Sequence, residues 1–236
     1  MKEKGLNGFQ LKVCMTFLML LDHIAQFMPH APIGFHYVGR IVAPIFFFLL
    51  VEGFFHTRNP LKYMKRLYIG AGIMFIGSRI LDTFLFVREG HRIPNNIFLS
   101  LALGFNLLYF ITSANKKTNP RDKILEVLKA IGIGFLSLFS EASFLGVGMV
   151  LIFYYFRKDR LRLSIGYLFL SFFFLFSMPL TYDNVFLLNY QWMMVFALPF
   201  FFLYNGKEGK KAKYFFYFFY PLHIWILYTI SYFLSL

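Results

Sequence analysis

Two adjacent ionisable residues, Asp22 and His23, lie inside an apolar segment of the chain. A charge at the centre of a bilayer costs about 2.5–3.5 kcal/mol on insertion scales, so such residues usually face the interior of a helix bundle and pair there. Histidine gains and loses a proton near neutral pH, so His23 could serve as a general base or nucleophile while Asp22 orients a partner. Neighbouring helix positions point about 100° apart, which predicts different partners for the two. The alternative is a buried ion pair that only locks two helices.

Three further polar residues lie within later apolar segments of the chain. His223 follows Tyr220-Pro221-Leu222, where a proline can free a helix carbonyl. It could meet His23 at a similar depth, and the alternative is a satisfied core histidine. Arg79 and Asp82 share a helix face at i, i+3 spacing and can pair. That pair either points outward to the headgroup region or places Arg79 near an acyl oxygen or an acidic group of a substrate.

The second apolar segment opens with Arg40 and carries Glu52 near its end, and His56, Arg58 and Asn59 follow directly. More lysines and arginines come next, so this region could form a basic mouth that binds phosphate groups, which arginine does with two parallel hydrogen bonds. The alternative is an ordinary topology signal, since basic residues collect on the cytoplasmic side of membrane proteins.

Composition places the chain in the membrane. Of its 236 residues, 58% are apolar and 15% charged, against about 45–50% and 25% in soluble domains. This excludes intrinsic disorder, and a single cysteine excludes a disulfide-stapled secreted domain. No metal-ligand spacing and no glycine-rich phosphate loop occurs in the sequence, and the basic clusters lack the context of a nucleic-acid-binding protein. We therefore predict one integral membrane domain over 1–236, with the lipid bilayer as its surroundings.

Long apolar segments predict an all-α transmembrane bundle. A spanning helix needs about 20 mostly apolar residues, and about nine segments qualify. They are 11–28, 39–55, 67–86, 96–113, 124–140, 143–156, 163–179, 188–204 and 214–235.

The cationic residues predict the orientation of the bundle. They cluster at the start of the chain and in every second connection, so that 20 of the 24 lysines and arginines fall on one side. Because positive charge marks the cytoplasmic side, the N-terminus is predicted to be inside and the C-terminus outside. The predicted location is the cytoplasmic (inner) membrane of the cell, crossed several times.

Several sequence blocks together resemble one family. They are Asp22-His23-Ile24, Arg40-Ile41-Val42-Ala43-Pro44, Glu52-Gly53-Phe54 with His56-Thr57-Arg58-Asn59, Asn95-Asn96-Ile97-Phe98 and Tyr220-Pro221-Leu222-His223. In this order, over nearly the whole chain, they are similar to the TraX family of integral membrane proteins. One departure is Ala25, where the family usually has glycine.

The resemblance implies acetyl transfer. The family's name-giving member acetylates the N-terminus of a pilin subunit, and related membrane acyltransferases use a histidine on an early helix and acetyl-CoA from the cytoplasm. By position that histidine is His23, whereas His223 has no firm equivalent. The implied acceptor is a pilin-like peptide amine or a glycan hydroxyl, reached directly or through an acetyl-histidine.

Two other functions fit the same residues. One is a small-solute or proton-coupled transporter, although no inverted repeat supports it, and the other is a non-catalytic assembly factor. The phenylalanine-rich faces leave open contact with lipid or with a second copy of the chain.

Overall fold

A computed structural model describes residues 5–87, 92–173, 175 and 179–234 of the chain. Ten α-helices occur within these residues, and the only bridge between extended residues joins Leu6 and Tyr204. The α-helices are α1 (Gly8–Phe27), α2 (Gly34–Gly39), α3 (Val42–His56), α4 (Pro60–Ile80), α5 (Ile97–Lys116), α6 (Pro120–Ser137), α7 (Ser143–Tyr155), α8 (Arg160–Phe172), α9 (Leu198–Leu203) and α10 (Lys213–Leu234). The all-α prediction is confirmed.

Four helical segments are long and apolar enough to cross a membrane, which confirms a helical membrane bundle. They are Gly8–Phe27, Gly34–His56, Pro60–Leu85 and Ile97–Lys116, and they coincide with the first four predicted spans. The other predicted spans also contain helices, but these are shorter or less apolar. The count of nine spans and the orientation stay predictions, and three cationic residues used for the charge pattern, Lys2, Lys4 and Arg88, lie outside the described residues.

Besides the α-helices, the described residues include π-helical and 3₁₀ segments. After Ile80 the chain continues as a π-helical turn, Leu81–Leu85, and a second π-helical segment covers Asp183–Leu188. The eighth predicted span begins as a 3₁₀ helix, Tyr190–Ala197, before α9. Pro199 lies in the first turn of α9, where the missing N–H of proline costs nothing, so the α-helix starts there.

The chain forms two compact units. The first comprises Met1–Phe46, Ser78–Ile93 and Ser164–Leu236, and the second comprises Phe47–Gly77 and Pro94–Leu163. The interpretation of 1–236 as one domain stays a prediction.

In the first unit, α1 presents a buried stripe to its neighbours. A capping box starts the helix, because Asn7 and Gln10 each accept the backbone N–H of the other. Leu11, Met15 and Met19 are buried at four-residue spacing, so they lie on one helix face. The next position in this series is His23, so its side chain lies on the same buried face of α1.

In the second unit, glycines let helices approach closely. A Cβ on Gly104 of α5 would lie 2.9 Å from a Val150 methyl group, and a Cβ on Gly146 would lie 3.1 Å from the Phe47 ring. Phe47, together with Phe105, has no exposed surface. These contacts form the core that positions the end of α3, where Glu52 and His56 lie.

Candidate functional site

Two buried histidines form a pair in the first unit. Nδ1 of His23, on α1, is 2.7 Å from Nε2 of His223, on α10. The two residues are 5% and 6% exposed. The structure therefore brings together two of the residues that their sequence context singled out for chemistry, a meeting that the sequence had left open.

The helix carbonyl beside His223 sets the polarity of this pair. Nδ1 of His223 is 2.7 Å from the backbone oxygen of Phe219, and a carbonyl oxygen can only accept, so this nitrogen carries a hydrogen. In the neutral pair Nε2 of His223 then accepts, and Nδ1 of His23 donates. A neutral imidazole has one N–H, so Nε2 of His23 is the nitrogen with a lone pair. The Phe219 ring, stacked at 4.7 Å between centroids, holds the His223 ring in this orientation.

Asp22 points to a different set of neighbours, as the 100° helix step predicts. Its Oδ1 accepts from Nδ1 of His36 at 2.7 Å, and Nη2 of Arg40 donates to its two oxygens at 2.8 and 3.0 Å. His36 and Arg40 are four residues apart, so α2 and the residue after it present both to the same carboxylate. The side chains of all three are about a fifth exposed.

Two residues of the 3₁₀ segment contact the side chains that bind the Asp22 carboxylate. The ring of Tyr190 stacks on His36 with centroids 5.6 Å apart, and the Arg40 guanidinium lies 5.4 Å from the same ring. Nη1 of Arg40 also donates to Oε1 of Gln191 at 3.3 Å. Arg40, predicted as a substrate-binding residue, is thus held by an acid, a ring and an amide.

Gly39 allows α2 to approach Asp22 this closely. A Cβ at this position would collide with the Asp22 side chain, lying 2.5 Å from its Cβ and 2.6 Å from its Oδ2. Real Cβ atoms essentially never show such contacts, so only glycine fits here without a shift.

Arg79 and Asp82 form the predicted i, i+3 pair, 2.9 Å apart. The carboxylate is fully buried and also accepts the backbone N–H of Ile93 at 3.1 Å. Nη2 of Arg79 is 3.5 Å from the Ile93 carbonyl oxygen. The pair therefore points inward at Asp82 and fastens the chain at residue 93, in contrast to the alternative of an outward-pointing pair.

In the second unit, Glu52 has a partner that the sequence did not indicate. Arg157 donates from Nε and Nη2 to the two Glu52 oxygens at 2.6 and 2.9 Å, and its guanidinium lies 4.7 Å from the Phe55 ring centroid. Glu52 is 8% exposed. A two-point arginine–carboxylate pair is among the stronger charged contacts in proteins.

His56 and Asn59, which follow Glu52, make hydrogen bonds to backbone atoms close by in the chain. Nδ1 of His56 donates to the Glu52 carbonyl oxygen at 2.7 Å, and Oδ1 of Asn59 accepts the N–H of Lys62 at 2.9 Å, which caps α4. Arg58 is exposed. A role of these residues in binding an acyl donor stays a prediction. Across the described ranges, no group of three or more His, Cys, Asp or Glu side chains is arranged to hold a metal ion.

Comparison with known proteins decides the family. The model of the TraX protein family matches residues 7–231. The chain belongs to the TraX family. Among curated proteins, it is 28% identical over 252 residues to the probable fimbrial assembly protein FimC, serogroup H1, of Dichelobacter nodosus, and the match covers 97% of each chain. No solved structure matches the chain.

The structure of this TraX protein adds residues that sequence reasoning missed. His36 could have been found, because it lies four residues before Arg40 and so shares its helix face. Tyr190 and Gln191 gave no such signal, since they lie in a segment that reads as an ordinary apolar span. Arg157 is 105 residues from Glu52 and reads as one of several basic residues in a connection.

Proposed function

We propose that this TraX protein is a membrane-embedded acetyltransferase that moves an acetyl group from cytoplasmic acetyl-CoA to an acceptor of the cell envelope or outside it. The observation that carries the proposal is the buried His23–His223 hydrogen bond, whose polarity gives Nε2 of His23 the lone pair. Family membership supports acetyl transfer. The name of the Dichelobacter relative, a probable fimbrial assembly protein, favours a pilin-like peptide amine as acceptor over a glycan hydroxyl.

In the proposed reaction Nε2 of His23 is the general base. It takes the proton from the acceptor amine or hydroxyl as that nitrogen or oxygen forms a bond to the acetyl carbonyl carbon. The carbon–sulfur bond of the thioester then breaks, and the leaving thiolate receives the proton back from Nε2. General-base catalysis of this kind contributes typically about 10²–10⁴ in rate.

His223 supports this step as a positioning residue. When Nε2 of His23 takes up a proton, its ring becomes cationic, and the hydrogen bond from Nδ1 to Nε2 of His223 strengthens, because bonds from charged donors are roughly twice as strong as neutral ones. The Phe219 carbonyl keeps His223 in the accepting tautomer. Arg40 and Arg79 already have carboxylate partners, so we assign them the placement of α2 and of the chain near Ile93.

The deciding experiment measures transfer of labelled acetyl from acetyl-CoA to a pilin-like peptide or to isolated envelope glycan, with the purified chain in proteoliposomes. His23→Gln is expected to lower the rate by about 10²–10⁴ while acetyl-CoA still raises the Tm of the protein. His223→Gln keeps an acceptor for Nδ1 of His23, so we expect a smaller loss than for His223→Phe.

His30→Asn is the matched control. His30 is exposed and has a φ of 62°, a conformation that asparagine tolerates, so this variant removes a histidine without touching the pair. Transfer at the wild-type rate by a folded His23→Gln protein would remove His23 from the mechanism. A wild-type protein that neither binds acetyl-CoA nor transfers acetyl would instead support a non-catalytic assembly factor.

A further inference from the structure

Among the described residues, one arginine of the second unit has a buried guanidinium nitrogen without a hydrogen-bond partner. Nε of Arg66, on α4, is buried and has no hydrogen-bond partner anywhere in the described part of the chain. Its guanidinium lies 5.3 Å from the centroid of the Tyr63 ring, one turn earlier on the same helix. No described carboxylate lies within 4.0 Å of this arginine. Arg66 as a whole is half-buried, but its buried Nε–H without an acceptor is costly, and an anion is a favourable partner for this nitrogen.

The placement of this guanidinium is fixed by packing. Tyr63 lies against Gly53, where an added Cβ would be 3.1 Å from the ring, and against Phe105 of α5, with ring centroids 4.7 Å apart. Gly53 belongs to the Glu52-Gly53-Phe54 block that carries part of the TraX resemblance. The absence of a side chain at Gly53 thus lets Tyr63 lie where it supports Arg66.

A second polar atom without a partner lies in the same pair of helices. Oδ1 of Asn106, on α5, is buried and unbonded among the described residues, while its amide nitrogen donates to the Tyr68 hydroxyl at 3.0 Å. The two orphaned atoms need opposite partners: Nε of Arg66 needs an acceptor, and Oδ1 of Asn106 needs a donor. A phosphate ester that also carries hydroxyl or amide groups supplies both.

The charge around Arg66 favours the same ligand. Lys62 lies four residues before it, which places the two on one face of α4. The rise of 1.5 Å per residue puts Arg66 about 9 Å along α4 from its basic, predicted cytoplasmic end. We propose that Arg66, supported by Tyr63 over Gly53, binds the phosphate of a phosphate-ester ligand, with Asn106 as acceptor for a donor group of that ligand.

Two sources supply this chemistry: the phosphates of coenzyme A and the headgroup of an anionic phospholipid. The first source rests on the proposed function, whereas the second does not. The probes are coenzyme A, pantetheine as its phosphate-free part, and phosphatidylglycerol in nanodiscs. The variants are Arg66→Gln, Arg66→Lys, and Arg121→Gln as a control that removes an exposed arginine from another connection.

For the coenzyme source, Arg66→Gln is expected to raise the Kd for coenzyme A roughly ten- to hundredfold, the worth of a charge-assisted hydrogen bond. Arg66→Lys keeps the charge but not the planar fork, so the Kd for coenzyme A rises less. Arg121→Gln is expected to leave the Kd for coenzyme A unchanged, and the Kd for pantetheine is expected to stay the same in all three variants. For the lipid source, Arg66→Gln leaves coenzyme binding unaltered but loses the phosphatidylglycerol that the wild type retains in native mass spectrometry.

The inference is overturned if Arg66→Gln and Arg66→Lys, eluting as folded protein, change neither coenzyme affinity nor lipid retention. A wild-type protein that binds no coenzyme A but loses its lipid in Arg66→Gln would refute the acetyltransferase and leave the phosphate site standing. The two failures are thereby distinguished.

Discussion

The contact between Gly39 and Asp22 makes the sharpest prediction about stability. In Gly39→Ala, the new Cβ would lie 2.5 Å from Cβ of Asp22, whereas ordinary contact begins at 3.4 Å. The Asp22 Cβ is attached to the backbone of α1, so turning the carboxylate away does not relieve the clash. Either α2 or α1 must move by nearly 1 Å, and the bonds from His36 and Arg40 to the carboxylate are strained with it.

The expected cost has two parts. Overpacking a well-packed site costs about 1–3 kcal/mol, and a hydrogen bond to a charged group contributes about 1.5–3 kcal/mol. Because the Asp22, His36 and Arg40 side chains keep about a fifth of their exposure, we take the low end for the second part. The free energy of unfolding then falls by about 2.5–4.5 kcal/mol, and Tm by about 5–18 °C for a chain of this length.

Thermal unfolding of the detergent-purified protein measures this change. The matched control is Gly34→Ala in the same short helix, where an added Cβ meets nothing within 4 Å, so its Tm should equal or exceed that of the wild type. In an Asp22→Gly background, Gly39→Ala should cost much less, since the colliding Cβ and carboxylate of residue 22 are both gone. An unchanged Tm for Gly39→Ala, or equal costs in both backgrounds, would refute the reasoning.

Two further predictions concern the second unit and the topology. Glu52→Gln leaves the Arg157 guanidinium without its counter-charge and should lower the free energy of unfolding by about 2–4 kcal/mol, below the usual cost of a broken buried pair because Arg157 is partly exposed. Replacing both residues by glutamine should restore part of that loss in Tm, and a wild-type Tm for Glu52→Gln would show that the pair does not contribute. A single cysteine placed in the connection 205–213, with the native cysteine replaced by serine, should react with an impermeant maleimide only in inside-out vesicles. Labelling from the outer face of intact cells would reverse the predicted orientation.

Much of the helical architecture follows from hydropathy. The first four predicted spans coincide with helices of the structure, because a long apolar run in a membrane has few options besides a helix. The extra helix α2 escaped prediction, because all but its last residue falls in the predicted connection before the second span, 39–55, and six residues are too few to show a helical period. Short elements such as Tyr190–Ala197 depend on tertiary contacts, to which periodicity is blind.

The sequence indicated more of the residues of the candidate site than of the contacts between them. His23, His223 and Asp22 stood out because polar groups are costly in an apolar run, and cost does not depend on knowing the partner. The partner of Glu52 could not be predicted, since Arg157 looks like an ordinary basic residue of a connection. Arg66 is the same case: only its buried Nε atom, with an unfilled hydrogen bond among the described residues, distinguishes it from the neighbouring lysines.

The distance along the chain between the two paired histidines has a consequence for biogenesis. His23 and His223 are 200 residues apart, one on the first helix and the other on the last. During synthesis His23 therefore lacks this partner until a further 200 residues have been made and α10 has been inserted. A ribosome that stalls, or a gene truncated before α10, yields a protein without the pair, and chemistry that depends on the pair begins only once α10 is in place.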